Sequence, residues 1–186
     1  MWWTLFLALV LGTGLMRLIE LIISVRRMRL KQGDVIAEPA LFPLMALLHI
    51  GLIACPIAEV WLLERAPLLP LNLAALCAFG GASVLRVWTL RTIGRAWNVR
   101  VVAPDEGTIA TGGPYRYIRH PNYLVVIIEI LSLPLIHTAW LSALALSCLN
   151  AVVLWRRIHT EETMLRTIPD WERHMAHKAR LIPGVF

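Results

Sequence analysis

The chain has 186 residues, 58% of them hydrophobic and only 16% charged, with a mean hydropathy of +0.67. Roughly 25% charge is usual in a soluble domain, so this composition excludes an ordinary water-soluble fold and places the chain in a bilayer. The net charge of +6 gathers beside apolar runs instead of forming one polar face, which argues against a nucleic-acid partner and for membrane boundaries.

Residues 2–23 form the first apolar run, and about 20 residues suffice to cross a ~30 Å hydrocarbon core. It opens MWWTLF, with no basic segment ahead of it and no small-residue cleavage pattern before RRMR. It is therefore expected to stay as a membrane helix and not to be removed as a signal peptide. Arg17 and Glu20 sit in it at i, i+3, where they can satisfy each other. Residues 40–63 and 68–90 form the second and third runs and carry His49, Glu59 and Arg86. Ionisable groups at membrane depth are costly and are functional candidates by default; His49 is expected instead to be satisfied within its helix. Ala74, Ala78 and Ala82, beside Gly81, suggest a close-packing face. Cys55, Cys77 and Cys148 lie inside apolar runs without metal or redox spacing and are expected to be packing residues.

Residues 91–121 form a long polar loop, and loops of that length are usually functional or disordered. Alternation over residues 99–103, PDEG at 104–107 and TIAT at 108–111 suit a small β-like hairpin, and GGP at 112–114 marks a second turn. The loop ends in YRYIRHPNY, at residues 115–123. Pro121 suits the first turn of a helix, where its missing N–H would be unpaired anyway. A helix start favours a carboxylate or phosphate, and Tyr115, Tyr117 and Tyr123 add aromatic faces for an adenine or a sulfonium cation. The plainer alternative is an interfacial girdle of tyrosines and arginines, which composition alone favours.

Residues 122–155 are too long for one span, since a single helix would measure ~50 Å. Pro134, followed by His137 and Thr138, breaks the run, which predicts a helical hairpin turning near residues 135–139, with a short first arm that carries Glu129 and relies on protein neighbours. The expectation is an all-α integral membrane protein of about five transmembrane helices, the last two a hairpin. Its divisions are three helices over 1–90, a loop over 91–121, the hairpin over 122–157 and a tail over 158–186, all one domain. Arg26, Arg27, Arg29 and Lys31 follow the first helix, Arg91, Arg95, Arg100, Arg116 and Arg119 the third, and Arg156 and Arg157 the hairpin. Only Arg65 lies between the second and third. The positive-inside rule then places loop and tail together on the cytoplasmic side.

WRRIHTEETML, at residues 155–165, sets Arg157 and Glu161 at i, i+4 beside Glu162. Alone such a pair reads as a surface salt bridge, but this one stands at the opposite end of the hairpin from RHPNY and on the same side of the bilayer. The tail from Ile158 onward carries Ile158, Met164, Leu165 and Ile168 and then, past Pro169, Trp171, Met175 and Ala179. This pattern predicts amphipathic helices on the membrane surface or folded over the loop, against a merely solvated tail.

GPYRYIRHPNY, an apolar hairpin, RIHTEETML and the terminal ARLIP together resemble the isoprenylcysteine carboxyl methyltransferase family of integral membrane enzymes, over most of the chain from Trp97 to Pro183. The stretches RLIELIISVRRMRL and LLHIGLIACPIAEVWLLE are similar to a bacterial subgroup, some members of which methylate hydroxyl groups of long-chain alkylpyrones or alkylresorcinols. The resemblance implies S-adenosylmethionine as cofactor and a lipophilic or prenylated acceptor reached from the bilayer. Carried over by position, Thr108, Ile109, Ala110, Tyr115, His120, Pro121, Asn122 and Tyr123 would line the cofactor and Glu161 would bind it. Arg157 would face the acceptor, with Glu162 beside it as the second catalytic candidate. Arg27 stands where the subgroup has Asn, and Trp171 and His174 stand where many members have tyrosines. A carboxylate acceptor would need only orientation, whereas a phenol or enol would need a base, for which Glu162, Glu129 and His120 are candidates. No metal is expected. Two other readings are a phospholipid N-methyltransferase and a small transport or structural protein; the latter is disfavoured by the lack of paired broken helices.

Overall fold

The computed structural model describes residues 2–30, 41–94 and 109–184. Its elements in chain order are α1 (Trp2–Leu30), α2 (Leu41–Leu62), α3 (Leu69–Ile93), a 3₁₀ turn (Gly113–Arg116), α4 (Pro121–Leu135), α5 (Trp140–Leu165) and α6 (Pro169–Met175). Helices α1, α2, α3 and α5 are long and apolar enough to cross a membrane, and the chain is an integral membrane protein. With 15 residues, α4 rises only about 22 Å, so the described residues hold four full-length spans and one shorter apolar helix. This α4 packs between α3 and α5, as expected of an arm that depends on protein neighbours.

The hairpin turns where Pro134 predicted. Thr138 adopts a left-handed φ of 62°, and its hydroxyl accepts from the Leu68 amide at 3.3 Å and from Asn72 Nδ2 at 3.2 Å. The same Asn72 amide reaches the Leu135 carbonyl at 3.0 Å. The first turn of α3 thus supplies partners for a backbone bend that lipid could not satisfy. Glu59 does the same for the start of α5. Its carboxylate accepts from the Leu141 amide (3.2 Å), the Ser142 amide (2.7 Å) and the Ser142 hydroxyl (2.7 Å), with Arg65 paired to it at 3.1 Å. A carboxylate at a helix N-terminus fills orphan donors and complements the helix dipole. Glu59→Leu is therefore expected to cost about 2–3 kcal/mol and to lower the melting temperature of the detergent-solubilised protein by several degrees. An unchanged transition would show that the cap carries no stability.

The core of the bundle is Phe6, Val10, Leu48, Leu52, Ile130, Leu133, Ile136 and Val153. Gly14 and Gly51 mark close helix approach: a Cβ on Gly14 would meet Ile53 Cδ1 at 2.6 Å, and one on Gly51 would meet Leu146 at 3.1 Å. Two sequence expectations are corrected here. Ala74, Ala78 and Gly81 face outward, and the packed stripe of α3 is Asn72, Ala75, Phe79, Ala82, Arg86 and Thr89. Alanines tolerate either side, whereas Asn72 and Arg86 must be covered by protein, so the polar residues set the rotation of the helix. Likewise Cys55, Cys77 and Cys148 are all exposed. In a membrane protein the lipid-facing side is as apolar as the interior, so an apolar setting does not place a residue inside.

Residues 95–108 lie outside the described structure, and with them Arg95, Arg100, Thr108 and most of the expected β-like hairpin; Lys31 also lies outside.

Candidate active site

The polar end of the molecule is assembled from the end of α3, the 3₁₀ turn, the start of α4, the end of α5 and the tail. Gly113 has a φ of 52°, and a Cβ there would stand 2.3 Å from Thr92 Oγ1 and 3.0 Å from Trp88 Nε1. Only glycine lets the turn sit this close to α3 in this conformation. Gly113→Ala is expected to displace the turn, lowering stability by about 1–3 kcal/mol. Faster cleavage of the loop in limited proteolysis would report it; an unchanged cleavage pattern would contradict it.

Beyond the turn, Tyr115, Trp171 and Met175 are buried together, with Ile93, Ile109, Ala110, Leu165 and Ile168 packed around them. This is a small second core, and it decides between the two expectations for the tail: α6 folds over the loop. Burial pushes the Tyr115 phenol well above its ordinary pKa, with the charge of Glu161 adding to the shift. Backbone contacts pin the tail in place. The Arg119 amide donates to the Ala179 carbonyl at 2.9 Å and the His120 amide to the Arg180 carbonyl at 3.0 Å. Arg119 Nε donates to the carbonyls of Lys178 (2.8 Å) and Met175 (3.1 Å), and Lys178 Nζ donates to the Tyr115 carbonyl at 2.8 Å. The Arg119 guanidinium also lies 5.5 Å from the Trp171 ring centre.

Two adjacent glutamates of α5 serve two different networks. Glu162, 2% exposed, receives Arg119 Nη1 at 3.0 Å, Arg180 Nη2 at 2.9 Å and His120 Nε2 at 3.3 Å. One carboxylate thus ties the loop, the tail and α5 together. Glu161, whose side chain is 30% exposed, accepts from the Tyr123 hydroxyl, and that hydroxyl in turn accepts from Arg157 Nε at 2.8 Å. His120 stacks on Tyr123 at 5.2 Å between ring centres, and its Nδ1 is 3.9 Å from Glu161. Pro121 opens α4 as expected, and Asn122 Oδ1 is buried without a hydrogen-bond partner among the described residues.

The residues singled out in the sequence therefore divide. His120, Tyr123, Arg157, Glu161 and Glu162 converge, Ile109, Ala110 and Tyr115 form the core beneath the tail, and Thr108 is not described. Sequence reasoning missed Arg180 and the paired role of Arg119. The ARLIP ending was the only signal, and it carried no partner.

A model of the isoprenylcysteine carboxyl methyltransferase (ICMT) family matches residues 73–167, the stretch that holds most of α3, all of α4 and α5, and the five converging residues. The chain belongs to that family. It is 34% identical over 137 residues to the uncharacterized protein YpbQ of Bacillus subtilis (strain 168), covering 73% of this chain and 80% of that protein. Its fold is similar to that of the eukaryotic intramembrane Ras methyltransferase ICMT, with a TM-score of 0.62 at 19% identity over 97% of this chain and 68% of the other. A membrane methyltransferase of the isoprenylcysteine type is thus the class to which this architecture belongs.

In this ICMT-family chain the cation of the site, Arg157, also borders a cavity of about 410 Å³ within the bundle. Tyr123 and Asn122 line it, as do Arg17, Glu20, His49 and Arg86. Arg17, Glu20 and Arg86 belong, with Glu129, to a buried quartet. Arg86 donates Nε and Nη2 to Glu129 (3.1 Å each) and Nη1 to Glu20 (2.7 Å), while Arg17 donates Nη1 to Glu20 (2.7 Å) and Nη2 to Glu129. The Arg17 and Glu20 pair is therefore not self-contained: α3 and α4 complete it. His49 Nδ1 lies 2.7 Å from the Met45 carbonyl, the satisfied helix histidine that was expected. Asn150 adds a further amide, and the rest of the wall, with Leu18, Leu21, Ile50, Ile53 and Val126, is apolar.

Proposed function

We propose that this chain transfers a methyl group from S-adenosylmethionine to an oxygen of a lipophilic acceptor, at the boundary where the polar loop and tail meet the bundle cavity. The acceptor is of the isoprenylcysteine carboxylate type or a long-chain alkylpyrone or alkylresorcinol hydroxyl, and loop and tail face the cytoplasm of a bacterial plasma membrane. The observation that carries the reading is the Tyr123 hydroxyl, which joins Arg157 on the cavity wall to Glu161 on the polar side.

The residues present suit such a cofactor. A partly exposed carboxylate, Glu161, and an orphan acceptor, Asn122 Oδ1, are what a cationic ligand needs. When bound, S-adenosylmethionine supplies an electrophilic methyl on sulfur. Glu161 and Asn122 hold the cation; Tyr123 fixes the Arg157 side chain by accepting from Nε; Arg157 then orients the acceptor oxygen at the mouth of the cavity. A carboxylate acceptor is already ionised and needs no base. For a hydroxyl acceptor the candidate base is His120, which stacks on Tyr123 beside Glu161, whereas Glu162 is held by the guanidinium groups of Arg119 and Arg180 and Glu129 by those of Arg17 and Arg86. Glu162 accordingly acts here as a positioning residue. Closure of the charged quartet within the bundle gives the transport reading no open relay.

Calorimetric titration of the purified protein with S-adenosylmethionine tests the cofactor premise. Saturable binding is expected, weakened at least about 30-fold in Glu161→Ala, as befits loss of a charge-assisted contact. A folded wild type that does not bind would remove the premise.

A further inference from the structure

We propose that His49 is a specificity-determining residue of the bundle cavity, holding the acceptor lipid by a hydrogen bond from a hydroxyl of its head to Nε2. Leu48, His49 and Ile50 all line the cavity. Successive residues of a helix stand about 100° apart, so the wall extends to either side of His49, and its ring lies at the middle of the face that α2 turns to the cavity. Nδ1 is 2.7 Å from the Met45 carbonyl, which can only accept, so Nδ1 carries the ring hydrogen. That bond fixes the tautomer and makes Nε2 of the neutral ring an acceptor. Nε2 has no hydrogen bond among the described residues, and it is not one of the orphan atoms sealed away from the cavity.

Met45, one turn and about 6 Å nearer the polar end, meets Arg157 Nη1 through its thioether. His49 therefore stands one turn deeper than the cation assigned to the acceptor oxygen. Arg17, Glu20 and Arg86 border the same cavity, and with Glu129 their charges cancel. A second cation in the bundle beside Arg157 would be costly, so the ring is neutral and Nε2 keeps its lone pair. Such a nitrogen bonds a hydroxyl hydrogen, whereas an ether or ester oxygen offers it only lone pairs. His49 thus selects by hydrogen-bond chemistry, which discriminates more sharply than the fit of an apolar wall. Leu18, Leu21 and Ile53 suit the chain of the same lipid. The inference rests on the methyl-transfer reading only in taking this lipid for the acceptor.

The test is competition for photolabelling by a diazirine-bearing 4-dodecylphenol, on protein in detergent and without S-adenosylmethionine. The competitors are 4-dodecylphenol and its methyl ether, 4-dodecylanisole, which keeps the oxygen and loses the hydrogen. The phenol is expected to compete about ten-fold better on the wild type, the worth of one hydrogen bond. In His49→Phe, which keeps a ring and deletes the acceptor, that preference is expected to fall to about two-fold or less, whereas a preference caused by the bulk of the methyl group would persist. His49→Gln restores an oxygen acceptor and is expected to retain part of it. The label is expected on cavity-lining residues of α1 and α2. Equal competition on the wild type, an undiminished preference in His49→Phe, a loss as complete in His49→Gln as in His49→Phe, or label outside the cavity would overturn the proposal. Should a variant fail to fold, the wild-type preference and the labelled positions decide. Because no cofactor is present, failure of methyl transfer and failure of this lipid site are read separately.

Discussion

Replacing Glu162 with leucine is expected to abolish cofactor binding while leaving the membrane bundle folded. The side chain is 3% exposed and neutralises Arg119, Arg180 and, when it is protonated, His120. Removing one member of a buried ionic network typically costs about 3–5 kcal/mol, because the remaining charges lose their partner. The cost here falls on the seam between loop and tail, which is held besides by the Tyr115, Trp171 and Met175 core and a few backbone contacts. If the closed seam becomes a minor state, apparent affinity for the cofactor falls in proportion to the closed fraction, so a loss of about 100-fold or more is expected. Glu162→Gln, which keeps the shape but not the charge, should lie between. Titration calorimetry measures the affinity, and limited proteolysis beyond α5 reports the opened tail. Wild-type affinity in Glu162→Leu would show that the seam closes without its carboxylate.

The second large effect concerns stability. Arg86→Met is expected to destabilise the bundle by about 3–5 kcal/mol, since it strips Glu20 and Glu129 of their shared cation at membrane depth. Arg17 alone would then face two carboxylates. Adding Glu129→Leu to Arg86→Met removes one surplus charge, and a substantial part of the lost stability should return, a coupling that a double-mutant cycle isolates. Thermal unfolding in a fixed detergent is the measurement. Additive losses in the double variant would mean that the two residues do not act through each other.

The sequence disclosed those features that local chemistry dictates. Pro134 and the length of the last apolar run required a hairpin, Pro121 required a helix start, and the basic clusters marked one polar side. RHPNY and the arginine and glutamate spacing on α5 named most of the converging residues. Long-range pairing remained hidden. Nothing in the neighbourhood of Glu59 shows that it caps a helix more than eighty positions away, and Arg17 with Glu20 looked complete until Arg86 and Glu129 were seen to join them. The alanines of α3 misled for a related reason: small residues permit close packing without requiring it, whereas the buried amide of Asn72 and guanidinium of Arg86 require partners. Tyr115 suggested an open aromatic face and instead serves a core beneath the tail, because the apolar side of α6 needed a partner.

The most direct test of the central claim is transfer of a radiolabelled methyl group. Purified protein in lipid vesicles would be incubated with methyl-labelled S-adenosylmethionine and, in turn, a prenylcysteine and a long-chain alkylpyrone. Time-dependent label in the organic phase, dependent on one of these acceptors and lost in Arg157→Ala, is the expected result. Protein that binds the cofactor but labels neither acceptor, or labelling that survives in Arg157→Ala, would contradict the assignment of Arg157 and the cavity it borders as the site of transfer.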